Sequence, residues 1–315
     1  MRIALHSSYF GYRGTEVALY DYGRHLGTRT GIETMILLPR SRTTRCPELA
    51  QKFRATFAVR EYQDWREADE ILAQESVDAL YCIKNGWDDG VVSRSLPTLV
   101  HAIFPEADFH GDAYVYVSAW LSRVMTGGAA GWIPHMVDLP EISGDLRGEL
   151  GIPAGSVVFG RHGGGDSFDI PWVPAVIRTC LLRRPDIWFL FLGTQAHPEL
   201  ARHPRVRFLP PTVDVTRKRN FLNTCDGMIH ARKRGETFGL AVAEFAVLGK
   251  PVFTWAGSPE RAHLEMLGEG NFLYRDGADL ERLLLRFQPG SPASSAYREI
   301  CRPEFVVEQF LRFLP

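Results

Sequence analysis

Short apolar runs alternate along this chain with longer stretches whose apolar residues recur at helical spacing. That alternation is the pattern of α/β units built around a mostly parallel sheet. In the first half it predicts strands at residues 2–6, 34–38, 79–83, 98–103 and 114–117, with helices between them such as 15–26 and the strongly charged 64–74. A second series starts near residue 156. It predicts strands at 157–160, 187–192, 206–209, 227–231, 251–255 and 272–274, and helices at 170–184, 215–225, 238–248, 259–267 and 279–287.

Residues 133–153 separate the two series and contain Pro134, Pro140 and Pro153, so the hinge between two domains is expected here. A short helix is expected from Ser143, read as its N-cap. FQPGSPASS (287–295) reads as a loop, and 296–314 as a terminal helix interrupted near Pro303. The predicted architecture is α/β with two Rossmann-like domains, 1–138 and 139–295, followed by a C-terminal helix, 296–315. Open parallel sheets bind ligands beyond the carboxyl ends of their strands, so loops directly after strands are the places to search, with a ligand cleft expected between the two sheets.

The length of 315 residues agrees with two domains. A formal net charge of −1 gives no global field for nucleic acid or an anionic membrane. The five cysteines (Cys46, Cys82, Cys180, Cys225, Cys301) are scattered and form no C-x-x-C pair, which argues against a disulfide framework or structural zinc site and fits a reducing compartment. No stretch approaches the ~18 apolar residues of a membrane span, and the N-terminus MRIALHSSYF has no long apolar leader region. A cytoplasmic protein with no transmembrane segment and no nucleic-acid partner is expected.

The chemistry concentrates in MIHARKRGETFGLAVAEFAVLGKPVFTW (228–255). A strand runs into a basic loop, Arg232, Lys233 and Arg234, and a helix opens around Phe238 and Gly239. Free amides and the dipole at a helix N-terminus favour a phosphate, and Gly239 lets the backbone approach it. Glu236 stands where a carboxylate accepts hydrogen bonds from sugar hydroxyls. Glu244, about two helical turns on, addresses the same side and suits a ribose diol.

Glu236-x7-Glu244, set in G-E-T-F-G-L-x-x-x-E-F-x-x-x-G-K-P-V, resembles the donor-site motif of glycosyltransferase family 4 and its GT-B relatives. The resemblance implies a GT-B fold and a nucleotide-sugar donor. It gives Glu236 the sugar, Thr237, Phe238, Gly239 and Leu240 the sugar and phosphates, and Glu244 the ribose. SVVFGRHGGG (156–165) is similar to the opening of the second domain, where an arginine, here Arg161, faces the diphosphate. IPHMVD (133–138) resembles the I-P-N-G-V-D linker, with His135 and Met136 replacing Asn and Gly. GYRGTEVALY (11–20), with Gly14, is similar to the glycine-rich loop that faces diphosphate and acceptor. His101, ending an apolar strand, matches a histidine beside the donor sugar. His230, His110 and His162 are further candidates, His230 because its strand leads into the donor loop.

One departure matters. The family's lysine five residues after the arginine is Asp166 here, which repels phosphate. Arg232 is the expected replacement from the run Arg232, Lys233 and Arg234, so His101, Arg161, Arg232 and Glu236 form the expected catalytic set. The family implies transfer with retention, without a metal or other cofactor, to a glycan, lipid-linked or protein-linked acceptor, and a terminal helix crossing back to the first domain. The absence of any Asp-x-Asp triplet agrees with metal independence. The competing readings are a GT-B nucleotide-sugar epimerase, a sugar-binding protein and a degenerate transferase without turnover. A dinucleotide dehydrogenase is disfavoured because no G-x-G-x-x-G follows a strand.

Overall fold

The computed structural model describes every residue of the chain except Tyr9 and Ser291, the latter within the loop expected at 287–295. The chain divides into two compact units, Met1–Asp138 with Glu299–Pro315, and Leu139–Arg298.

The first unit holds seven parallel strands: β1 (Arg2–Ser7), β2 (Glu33–Pro39), β3 (Ala58–Tyr62), β4 (Ala79–Lys84), β5 (Thr98–Ala102), β6 (Ala113–Tyr116) and β7 (Gly131–Trp132), in the spatial order β3-β2-β1-β4-β5-β6-β7. The central strands are buried along their length, as a sheet covered on both faces requires. Edge strand β3, Ala-Val-Arg-Glu-Tyr, has no apolar run and is partly exposed, which is why the hydrophobic pattern missed it. The last helix, Pro303–Phe313, packs within this unit: the Phe310 ring lies 4.9 Å from that of Tyr81 and 5.8 Å from that of Tyr22. Residues 133–138 are tied to the same unit, with Tyr22 Oη donating to the Pro134 carbonyl at 2.8 Å and His25 Nε2 2.8 Å from an Asp138 oxygen. His135 and Met136, the two departures from the family linker, are both buried there.

The second unit has six parallel strands: β8 (Val157–His162), β9 (Ile187–Leu192), β10 (Val206–Leu209), β11 (Gly227–His230), β13 (Val252–Trp255) and β15 (Phe272–Tyr274), ordered β10-β9-β8-β11-β13-β15. A separate parallel pair joins β12 (Gly235–Glu236) to β14 (Glu260–Arg261). The core of this unit is rich in phenylalanine: Phe253 stacks on Phe272 at 4.4 Å and meets Phe159 edge-on at 5.1 Å. Full burial of each such ring contributes about 1.5–3 kcal/mol.

Three boundaries differ from the sequence expectation. The linker helix is Arg147–Leu150, not a helix from Ser143, because the Leu146 amide is drawn to Thr224 Oγ1 at 2.8 Å and Asp145 takes the Arg147 amide. The stretch expected as helix 259–267 begins as β14 and turns helical only at Ala262. The helix expected at 238–248 starts at Leu240, two residues late, after a Gly239 in the left-handed conformation.

The helix Gly14–Thr30 begins without a side-chain cap from Arg13. Glu16, at its third position, takes that part. Its carboxylate accepts from Ser7 Oγ at 3.0 Å and from the amides of Gly11 and Arg13. Burial outweighs these bonds and pushes the Glu16 carboxyl up to about 7 from 4.5. A carboxyl raised in the folded state contributes stability below its unfolded value, and loses it as pH rises through 7. Glu16→Gln removes that dependence, so the variant is expected to gain about 3 kcal/mol on the wild type between pH 4.5 and 8. Hydrogen exchange of the amides in β1 and Gly14–Thr30 at the two pH values checks this. Equal pH dependence in both proteins contradicts it.

Candidate functional site

The site lies in the second unit, at the carboxyl ends of the adjacent strands β8 and β11. β8 delivers Arg161 and His162 and passes into glycines 163, 164 and 165; β11 ends on His230 and passes into the basic loop. Two glycines shape the backbone beyond that loop. Gly235 has φ +81°, and a Cβ there would stand 2.1 Å from the Glu260 carbonyl oxygen, so only glycine lets β12 lie beside β14. Gly239 has φ +85° and caps the helix Leu240–Val247. A left-handed residue cannot continue a right-handed helix, which delays its start from Phe238 to Leu240.

The first intrahelical bond runs from the Ala243 amide to the Gly239 carbonyl at 2.8 Å. The amides of Leu240, Ala241 and Val242 therefore have no acceptor within the helix. A Cβ on Gly163 would lie 3.9 Å from Ala241 Cβ, so the glycine loop abuts this helix start. Amides and dipole together make an anion-favouring surface.

Two ionised carboxylates flank it. Glu236 Oε2 pairs with Arg232 Nη1 at 2.6 Å, and Oε1 lies 3.2 Å from His230 Nε2. Burial alone would raise the Glu236 carboxyl; the His230 hydrogen bond and then the Arg232 charge outweigh it and hold it at about 2. Its side chain keeps 17% exposure, enough to meet a ligand. Glu244 is more enclosed, at 3%. Lys218 Nζ lies 2.5 Å from Oε1 and His162 Nε2 lies 2.9 Å from Oε2. His162 faces Oε2 off the direction of a hydrogen bond, so Oε2 keeps an unused acceptor. Burial pushes this carboxyl up, but Lys218 and then His162 bring it down to about 2.

The remaining expected residues take other parts. Arg161 is 3% exposed, and its guanidinium bonds Thr194 Oγ1, the Gly164 carbonyl at 3.1 Å and Ser167 Oγ at 2.6 Å. It braces the glycine loop from within, and burial lowers its pKa to about 10. Asp166 is exposed at the end of that loop. Of the basic run, Lys233 gives its amide to Asp169 and Arg234 pairs with Glu260, so Arg232 alone is paired with Glu236. Thr237 and Phe238 are buried, and the Phe238 carbonyl accepts from Tyr297 Oη.

In the first unit, Gly14 opens its helix. His101 is fully enclosed: its Nδ1 is 2.7 Å from Tyr81 Oη, and its ring packs on those of Tyr22 and His135. Burial, then His135, holds its pKa well below the ordinary value. This is a buried, neutral histidine among the aromatic side chains of the first unit. His110 joins Asp88 and Asp89 in a group whose potential ligand atoms lie within 4.8 Å of one another. Asp89 is already paired with the buried Lys84, whose charge opposes a cation there.

Four contributions were missed from sequence: Lys218, the pairing of His162 with Glu244, and Thr254 and His263 behind His230. Lys218 sits in the run Arg217, Lys218, Arg219 on a helix, where spacing does not say which cation turns inward.

No family model matches the chain, and no curated protein matches its sequence. Solved structures do match over nearly its whole length. HepE from Anabaena, crystallised with UDP and glucose, has a TM-score of 0.69 at 14% identity, covering 99% of this chain and 98% of that one. AviGT4, a glycosyltransferase involved in avilamycin A biosynthesis, has 0.65 at 15%, covering 99% and 96%. A UDP-N-acetylglucosamine 2-epimerase has 0.62 at 11%, covering 98% and 95%. The fold is GT-B. At these identities the likeness speaks for fold alone. No helix among the described residues is long and apolar enough to cross a membrane.

Lys218→Met leaves Glu244 buried with the His162 imidazole as its remaining neighbour, and loss of one member of a buried pair is expected to cost about 3 kcal/mol. Adding Glu244→Leu should recover most of that, since an apolar pair replaces a charged one. Urea unfolding of the two variants checks both numbers. A single-variant loss under about 0.5 kcal/mol contradicts the buried-pair account.

Proposed function

We propose that this chain is a glycosyltransferase that moves a sugar from a nucleotide-diphosphate sugar to a hydroxyl of a glycan, lipid-linked or protein-linked acceptor, with retention and without a metal. One observation carries the reading: two ionised, nearly buried glutamates, Glu236 and Glu244, flank a helix start that lies against the glycine loop. The family-4-like motif assigns the same two residues to sugar and ribose. The matched structures with UDP bound agree with such a donor.

In this mechanism the amides of Leu240, Ala241 and Val242 take the diphosphate, and Arg232 replaces the cation that Asp166 removes. As the sugar–phosphate bond breaks, charge builds on the leaving diphosphate, and preorganised donors stabilise it. Arg161 acts through the loop it braces. Glu236 accepts from sugar hydroxyls on its exposed edge. A ribose reaches Glu244 by displacing the His162 imidazole from Oε2, where an acceptor is unused.

A second reading, a nucleotide-sugar epimerase, is favoured by the matched 2-epimerase structures. Product analysis with donor alone separates the two: an epimerase converts the sugar without acceptor, a transferase does not.

Glu244→Ala is expected to weaken nucleoside diphosphate binding by about 1.5–3 kcal/mol, the range for a charged hydrogen bond. Calorimetric titration measures it, and unchanged affinity removes the ribose assignment. Transfer should continue in excess EDTA. Activity lost with EDTA and restored by Mg²⁺ or Mn²⁺ contradicts metal independence.

A further inference from the structure

Behind Glu236 three buried side chains from separate elements form a continuous chain. His230 ends β11, Thr254 lies opposite it in register on β13, and His263 stands on the helix Ala262–Met266. Thr254 Oγ1 is 2.8 Å from His230 Nδ1 and 3.1 Å from His263 Nε2. The two imidazole centroids are 4.9 Å apart. Exposure is 4% for His230 and 0% for both Thr254 and His263, so water does not complete these bonds.

A hydroxyl carries one proton, so when both rings are neutral Thr254 donates to one histidine and accepts from the other. The direction is set at the far end. Ionised Glu236 needs a donor, so His230 presents Nε2–H to it and leaves Nδ1 bare. Thr254 then donates to His230 Nδ1 and accepts from His263 Nε2–H. The remaining group is His263 Nδ1, which is buried without a hydrogen-bond partner. Left bare it has only the nearby Glu236 backbone carbonyl to oppose it, whereas the reverse order sets a His230 lone pair against the ionised Glu236 carboxylate, which costs more. Burial first, then His230, holds the His263 pKa down at about 3, which keeps it neutral. The nearby Glu236 backbone carbonyl favours the charged form of His263 but is too weak to reverse this.

We infer that Thr254 and His263 are positioning residues that hold His230 with its Nε2 proton on Glu236, so that the carboxylate meets the donor sugar in one orientation. The sugar part rests on the glycosyltransferase reading; the tautomer part does not. The chain explains why a threonine and a second histidine are buried behind His230. It also separates the two partners of Glu236. Arg232 supplies charge from the exposed side, and His230 fixes direction from the buried side.

The test uses full-length protein with ¹⁵N-labelled histidine, read by imidazole ¹⁵N–¹H correlation at alkaline pH, where imidazoles are neutral. His230, assigned through a His230→Gln variant, should show a bare Nδ1 and a protonated Nε2 without any ligand. Thr254→Val keeps the shape and removes the hydroxyl, so the two tautomers of His230 should mix. Thr254→Ser should restore the single form. Nucleotide-sugar affinity should fall roughly tenfold in the valine variant and recover with serine, the scale of one hydrogen bond, while the nucleoside diphosphate binds equally to all three. A protonated Nδ1 in the wild type overturns the inference, as does a single Nε2–H form in Thr254→Val. Equal nucleotide-sugar affinity across the three overturns the positioning of the sugar contact. If no nucleotide sugar binds the wild type, the proposed function fails, and the tautomer result still decides whether Thr254 directs His230.

Discussion

Keeping two carboxylates ionised inside a protein is the constraint around which the second unit is arranged. An unpaired buried carboxylate takes up a proton, because low-dielectric surroundings penalise the charge. Glu236 and Glu244 instead hold pKa values of about 2. Each does so with one strong cation and one imidazole: Arg232 with His230, and Lys218 with His162. Those partners come from four places in the chain, so the ends of β8 and β11, the helix Val215–Thr224 and the basic loop must all stand in register for either carboxylate to survive ionised.

The backbone between the two glutamates follows from the same need. Gly239 in a left-handed conformation ends the extended segment carrying Glu236 and starts the helix carrying Glu244. Tyr297 clamps the Phe238 carbonyl from one side, and the Gly235 contact with the Glu260 carbonyl locks the other. A helix start facing a glycine loop is thereby held between two fixed negative charges. The proposed ligand has an anionic centre and hydroxyl-bearing ends to match that combination. A diphosphate joining a sugar to a ribose has this form.

Much of this was readable from the residues. Continuous apolar runs located the buried central strands, and Glu236, Gly239 and Glu244 carried enough pattern to mark the helix start between the two glutamates as the candidate site. Edge strand β3 and the short pair β12–β14 escaped because neither has an apolar run, their order coming from pairing alone. The electrostatic partners escaped for another reason. Nothing in Arg217, Lys218, Arg219 distinguishes the inward lysine, and Thr254 reads as an ordinary strand residue until the register sets it opposite His230. Arg161 shows the converse: a family pattern indicates a phosphate ligand, while the packing turns its guanidinium onto Thr194, Gly164 and Ser167. His101 likewise matches by position but is enclosed by Tyr22, Tyr81 and His135.

The central claim is that the helix start between Glu236 and Glu244 binds a nucleotide sugar. Amide chemical-shift mapping with UDP-, GDP-, ADP- and dTDP-sugars tests it most directly. The account predicts that at least one of these ligands shifts the amides of Leu240, Ala241 and Val242 together with those of glycines 163, 164 and 165. Saturable binding by none of the four, or shifts that leave these amides untouched, would contradict it.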